Sequence, residues 1–283
     1  MTIKKYKIYF ESLYIFFLGI FSSFSLPPYN FWLINFLTFS LLFILLIKNR
    51  EKNLKHFFFY GYIFGFGYFI SSLYWIPLSL LYDDNFAFLI PFALILIPAF
   101  LSLFFALAFL TFKLLLNFKG IFINVLSFSL IIGLFEYLRG SILSGFPWNL
   151  FAYSLSENTK IIQITSIIGI YSFNTILITI FVAPSILYLS RKKYDIIGFF
   201  LILVIFTTSY LYGSFKINEF RSLKSEILPA EIKILSTNIP IERFYSKLDN
   251  EEILNKLITL SIARPQDDTI FIWPEGVVPN LNL

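Results

Sequence analysis

Residues 86–112 read FAFLIPFALILIPAFLSLFFALAFLTF, without a single charged side chain. A helix rises about 1.5 Å per residue, and the hydrocarbon core of a bilayer is about 30 Å thick. This run is long enough to cross, with tilt or with an extension beyond the bilayer. Working outward from it, six further apolar runs of near-spanning length lie at 8–25, 31–47, 57–81, 121–140, 161–189 and 194–212. Together they predict a membrane α-helical bundle of about seven transmembrane helices. Pro77, Pro91, Pro98 and Pro184 fall inside or near the ends of these runs, where lipid-embedded helices tolerate proline. Ser25-Leu26-Pro27-Pro28-Tyr29-Asn30 joins the first two as a proline-favoured turn.

Composition supports the same class. Hydrophobic residues make up 58% of the chain and charged residues 14%, where a soluble domain is about a quarter charged. Mean hydropathy is +0.78. The absence of cysteine excludes disulfides, thiolate metal sites and thiol nucleophiles within these residues, and the single histidine excludes a multi-histidine metal centre. No metal and no cofactor is expected. The net charge of +5 is loop charge that orients spans, with no call for nucleic acid, because Lys and Arg sit between the apolar runs. No small-x-small cleavage site follows the first run, so it is expected to stay as a transmembrane helix.

Loop charges alternate along the chain. Lys4, Lys5 and Lys7 precede the first run, and no charge follows it. Lys48, Arg50, Lys52 and Lys55 follow the second; Asp83 and Asp84 follow the third. Lys113 and Lys119 flank the next turn, the loop after the fifth run is mixed, with Glu157 and Lys160, and Arg191, Lys192 and Lys193 follow the sixth run. The positive-inside rule places the N-terminus in the cytoplasm. Seven crossings then deliver residues 213–283 to the opposite side. Asp83, Asp84 and His56 are expected as solvated loop or juxtamembrane residues.

Two features stand out within the bundle. Glu136 and Arg139 lie three apart on one face of the fifth helix, followed by Gly140, Ser141, Ser144 and Gly145-Phe146-Pro147-Trp148. Ionisable residues in a span are costly and face a partner or a polar cavity. Two readings stand: an interfacial ion pair with Trp148 anchored in the headgroup belt, or a substrate site in which Arg139 pairs with a lipid phosphate. Gly61 and Gly65 form a Gly-x-x-x-Gly pair suited to close helix packing.

Beyond the last run, residues 213–230 are polar and predict a linker. Residues 231–235 predict a short strand, 249–263 an amphipathic helix with Asp249 as N-cap, and Thr269-Ile270-Phe271-Ile272-Trp273 a strand apolar enough for burial on both faces. Strand–helix–strand is a βαβ unit with parallel strands. Functional groups of α/β sheets collect at the carboxyl ends of strands. Glu275 stands there, after Pro274. A lone Glu at such a place is more often a turn residue, but it can serve as a general base if burial raises its pKa.

With these segments in view, the chain resembles the apolipoprotein N-acyltransferases of bacterial inner membranes. The resemblance rests on Pro27-Pro28-Tyr29-Asn30-Phe31-Trp32, Leu73-Tyr74-Trp75-Ile76, Glu136-Tyr137-Leu138-Arg139-Gly140 with Gly145-Phe146-Pro147-Trp148, Asn238-Ile239-Pro240, and Trp273-Pro274-Glu275 followed by Pro279. It implies a helical membrane domain over 1–212 and the first part of a periplasmic, nitrilase-like α/β domain over 213–283. It also implies ping-pong acyl transfer. A cysteine thiolate takes an acyl chain from a phospholipid, and the α-amine of a diacylglyceryl-cysteine lipoprotein accepts it. Glu275 matches the family's catalytic glutamate; Arg139 and Trp148 fall near the mouth of its active site as candidate substrate-binding residues. The family's lysine and cysteine lie C-terminal of that glutamate, so a C-terminally truncated chain is expected to be inactive alone unless a second chain supplies them. Where the family often carries a tryptophan after the Asn-Ile-Pro segment, this chain has Phe244 and Tyr245. The competing readings are a non-catalytic lipid-binding membrane protein, or a transporter, which would carry mid-membrane charges and inverted repeats.

Overall fold

The computed structural model describes residues 2–82, 85–116, 120–142, 145–223, 230–236, 250–262 and 268–274. Asp83, Asp84, Lys119, Ser144, the Asn238-Ile239-Pro240 segment, Asp249 and Glu275 lie outside them. The chain divides into two compact units, Met1–Ser79 with Phe88–Arg221, and Leu80–Ala87 with Ser222–Leu283.

The first unit is helical: α1 (Thr2–Ser23), α2 (Ile34–Lys48), α3 (Leu54–Ser72), α4 (Ile90–Leu115), α5 (Ile121–Ser141), α6 (Thr159–Ile162), α7 (Thr165–Val182), α8 (Pro184–Leu189) and α9 (Lys193–Ser222). Among the described residues, four segments are long and apolar enough to cross a membrane: Ala87–Leu115, Ile121–Ser141, Thr165–Leu189 and Lys193–Ser222. Tyr9–Ser23 and Ile34–Lys48 are shorter apolar helices.

Helix α3 packs closely between α1 and α4. A Cβ at Gly61 would collide with the Phe105 carbonyl of α4, and one at Gly67 with the Phe16 carbonyl of α1. Glycine is what lets these backbones approach. Phenylalanine fills the interior: Phe39 meets Phe151 edge-on at 4.7 Å, Phe43 meets Phe128 at 5.4 Å, and Phe64 meets Phe105 at 5.5 Å. Edge-to-face pairing of this kind suits the ring quadrupole.

Three expectations need correction. The third run does not continue as one helix to residue 81. Helix α3 stops at Ser72, whose hydroxyl turns back to the Tyr68 carbonyl at 2.7 Å, and a 3-10 segment follows at Ile76–Tyr82. Pro77 disfavours α geometry at the residue before it. The sixth run is interrupted: α6, α7 and α8 replace one rod, and Gly169 at φ 74°, ψ 169° breaks the first turns of α7, a conformation available to glycine almost alone. The expected linker at 213–230 is helical as far as Ser222. No proline interrupts residues 213–222, and Lys216 pairs with Glu219 at 2.7 Å one turn on.

The two ends of the helical unit differ chemically. At one end, Lys52 meets both Glu11 and Tyr60, Lys113 donates to the Arg50 carbonyl, and Lys48 donates to the Tyr188 hydroxyl at 2.9 Å. At this end Asp195 of α9 accepts the Phe122 N–H of α5 at 2.9 Å and the Ser190 hydroxyl at 2.5 Å. A buried carboxylate at a helix N-terminus satisfies an otherwise orphaned N–H. The opposite end carries the hydroxyl pair Ser23–Ser71, Asn30 donating to Glu157 at 2.5 Å, and Tyr68 donating to the Asn149 carbonyl at 2.8 Å.

In the second unit, β1 (Glu231–Ile234) and β2 (Thr269–Ile272) pair in parallel, Glu231 opposite Thr269 and Ile234 opposite Ile272. Helix α10 (Asn250–Leu260) lies between them in sequence and buries Ile253 and Leu257, with Leu235 packed against them. The βαβ order is the expected one. Burial of β2 on both faces is not: Ile270 and Ile272 are exposed, as are Ile232 and Ile234, because the sheet has two strands among the described residues.

Candidate functional site

The segment after α5 is built by its own backbone. Gly145 (φ 73°) and Asn149 (φ 60°) both take left-handed geometry, which Gly and Asn tolerate best. The Phe146 N–H returns to the Arg139 carbonyl at 2.9 Å, closing the end of α5. Between those two turns, Pro147 and Trp148 project from the bundle end, with Trp148 half-exposed.

Buried side chains from three helices hold this segment. Arg139 is 2% exposed; its NH1 donates to the Phe146 carbonyl at 2.7 Å and the Trp148 carbonyl at 2.8 Å, and its NH2 to Glu136 at 3.2 Å. The other Glu136 oxygen accepts from Asn174 of α7 at 2.8 Å, and the Asn174 carbonyl oxygen accepts the Ala152 N–H at 2.8 Å. Tyr68 of α3 adds its bond to the Asn149 carbonyl. The guanidinium lies 5.3 Å from the Phe69 ring centre, a cation–π contact. Among the described residues its Nε has no hydrogen-bond partner. Glu136 and Arg139 therefore face partners inside the protein.

Trp148 stacks on Trp75 with ring centres 5.3 Å apart and planes 19° apart. Both line a cavity of about 410 Å³ together with Pro27, Tyr29, Tyr74 and Tyr153. Three segments distant in sequence, Pro27-Pro28-Tyr29, Tyr74-Trp75 and Trp148-Asn149, meet around this one space. Burial, then the nearby Tyr171, push the Tyr153 phenol above its ordinary pKa. A second cavity of about 430 Å³ is lined by Arg139, Gly145 and Phe146 with Leu96, Phe100 and Phe104 of α4. A more polar cleft of about 410 Å³ is bordered by Asn30, Glu157, Lys160 and Tyr210. Among the described residues no three His, Asp or Glu side chains gather as metal ligands.

Of the candidate site residues, the structure brings Arg139 and Trp148 together through the Trp148 carbonyl. Glu275 follows the carboxyl end of β2 in sequence and lies outside the described residues. Sequence reasoning missed Asn174 and Tyr68. An amide in the middle of the apolar run Thr165–Val182 was the available signal, since lipid-embedded polar groups demand partners. Trp75 belongs to the Leu73-Tyr74-Trp75-Ile76 motif, which by itself implies no role for it.

The N-terminal domain model of apolipoprotein N-acyltransferase matches residues 18–183, more than half of the chain. The chain belongs to the apolipoprotein N-acyltransferase family. Among similar proteins of that name, the one from Rhodopseudomonas palustris is 29% identical over 276 residues, covering 92% of this chain and 50% of its own length. That of Brucella melitensis is 28% identical over 281 residues, covering 95% and 52%. That of Bradyrhizobium diazoefficiens is 30% identical over 275 residues, covering 92% and 50%. The chain spans about half the length of the curated relatives it matches. The N-acyltransferase domain match encloses Arg139, Trp148, Trp75 and Asn174, hence the whole of the cavity wall described above.

Proposed function

We propose that this chain serves N-acylation of the N-terminal diacylglyceryl-cysteine of lipoproteins, with a phospholipid as acyl donor. The observation that carries the proposal is the family match over the helices whose end loops converge on the aromatic cavity. The chemistry runs in two halves. A thiolate attacks the phospholipid ester carbonyl, a thioester forms, and the lysophospholipid leaves with a proton. The lipoprotein α-amine then attacks the thioester, an amide forms, and the thiol is regenerated. Glu275 takes the proton from thiol and then amine, and a lysine steadies the tetrahedral oxyanion. Residues 1–212 supply the membrane domain and 213–283 the first part of a nitrilase-like domain, in which β1, α10 and β2 are the opening βαβ unit. The cysteine-free 283 residues cannot form a thioester, so the thiol comes from residues outside these or from a second chain, and the family resemblance implies the same for the oxyanion lysine. Trp148 walls the donor's path at the membrane surface, and the buried Arg139 holds the Trp148 carbonyl from behind.

Mass spectrometry of a lipoprotein N-terminus tests this, in cells depleted of their own N-acyltransferase. A chimera joining residues 1–283 to the C-terminal remainder of one of these relatives is expected to yield triacylated product. Residues 1–283 alone are expected to leave it diacylated. A membrane-inserted chimera that leaves every N-terminus diacylated refutes the assignment; triacylation by residues 1–283 alone refutes the external thiol.

For location we propose the bacterial inner membrane, with about seven crossings, a cytoplasmic N-terminus and residues 213–283 in the periplasm. The grouping of Lys48, Arg50, Lys52 and Lys113 at one end of the bundle supports this. Alkaline phosphatase fused behind Leu283 is expected to be active, and a fluorescent cytoplasmic reporter at the same point dark. The reverse pattern overturns the orientation.

A further inference from the structure

We propose that Asn174 is a positioning residue: through Glu136, Arg139 and the backbone of residues 146–152 it holds Trp148 stacked on Trp75 as one wall of the cavity. The connections form a closed circuit that begins and ends on the same segment. From the Ala152 N–H the path runs to the Asn174 carbonyl oxygen, from the Asn174 amide to one Glu136 oxygen, and from the other Glu136 oxygen to Arg139. Arg139 then returns to the Phe146 and Trp148 carbonyls. Both ends of the loop are thus pinned by one set of buried side chains.

Asn174 suits this place because it must give and accept at once. Its amide donates to a carboxylate while its carbonyl oxygen accepts from a backbone N–H. Leucine of similar size does neither, and leaves two buried groups without partners. Asn174 is itself fully buried, so water does not replace it. Tyr68 is a second, independent tie, from α3 to the Asn149 carbonyl at 2.8 Å.

The indole pair needs such ties. Trp75 is 44% exposed and Trp148 49% exposed, and ordering exposed side chains costs rotamer entropy. A single stacked aromatic contact is too weak to hold a free loop in one place. The buried circuit carries the rest. That this wall faces an acyl donor rests on the function proposed above; the stacking itself does not.

Circular dichroism of the full chain in detergent micelles tests the proposal, because coupled indoles give an exciton couplet that isolated ones lack. Wild type is expected to show the couplet, Trp75→Phe and Trp148→Phe to lose it, and Trp32→Phe to keep it. Asn174→Leu is expected to lose it while the helical signal stays. Asn174→Ser, shorter and unable to reach both the Ala152 N–H and Glu136 at once, is expected to weaken it and decides the matter if Asn174→Leu does not fold. A residue that only stabilises the bundle would lower the unfolding temperature and leave the couplet of the folded protein unchanged. An unchanged couplet in folded Asn174→Leu, an unchanged couplet in Asn174→Ser, or no couplet in wild type overturns the proposal. An inactive chimera with an intact, Asn174-dependent couplet would sink the proposed function and leave this inference standing.

Discussion

Glu275→Gln in the chimera is expected to cut N-acylation by about 10²–10⁴-fold, the range for loss of a general base. Glutamine keeps the size and hydrogen-bonding shape of the side chain and removes only its ability to take a proton. Two half-reactions depend on that proton: the thiol must become a thiolate, and the attacking amine must shed its proton as the amide forms. Both slow together, so neither thioester nor triacylated product accumulates. The sequence position fits the task. Glu275 follows β2 at its carboxyl end, and β1 runs parallel to β2, so the ends of both strands lie side by side where α/β sheets gather their reactive groups. The measured quantity is the ratio of triacylated to diacylated N-terminus against time. Under the proposed function the donor is gripped at the Trp148 cavity and not by Glu275, so the loss should sit in kcat with KM little changed. A Glu275→Gln chimera as fast as its parent would remove this residue from the chemistry and return it to the status of a turn residue.

The bundle was legible because lipid imposes a simple rule. Every span must satisfy its own backbone and show apolar side chains outward, so runs such as 86–112 announce themselves. The Gly61 packing site was legible for the same reason: close approach of two helices requires the absence of a side chain, and sequence displays that absence directly. What hydropathy could not show was interruption. Gly169 sits inside an apolar run that any sliding window reads as continuous, yet its backbone breaks the helix. The polar end of α9 hid in the opposite way. Lys216, Glu219 and Arg221 look like linker residues, but a long helix continues through them once it is nucleated. The site was half legible. Glu136, Arg139 and Trp148 stood out as costly or interfacial residues. Asn174 did not, because its partner Glu136 lies on another helix and single-chain spacing carries no information about contacts across the bundle. Its pairing depends on how α5 and α7 pack, which is a tertiary fact.

Arg139→Ala is expected to destabilise the helical unit by about 3–5 kcal/mol, the cost of leaving a buried charge without its partner. Glu136 would keep only the Asn174 amide, and the Phe146 and Trp148 carbonyls would lose their donor. Glu136→Ala should cost less, since Arg139 would keep both carbonyls and its contact with the Phe69 ring. Arg139→Lys should fall nearer to alanine than to wild type. A single ammonium cannot reproduce the fork that reaches two carbonyls and a carboxylate at once. The decisive comparison is the double change Arg139→Met with Glu136→Leu. If the pair served only each other, replacing both with apolar side chains of similar volume would be neutral or even stabilising. Here the loop carbonyls remain abandoned, at about 1–3 kcal/mol each where water cannot reach them. The double variant should therefore stay below wild type, between Glu136→Ala and Arg139→Ala. Denaturant-induced unfolding of the chain in micelles, followed by its helical signal, reads all four variants on one scale. Recovery of wild-type stability in the double variant would show that the ion pair is a self-contained structural tie. It would also break the link between the charge pair of α5 and the loop that carries Trp148.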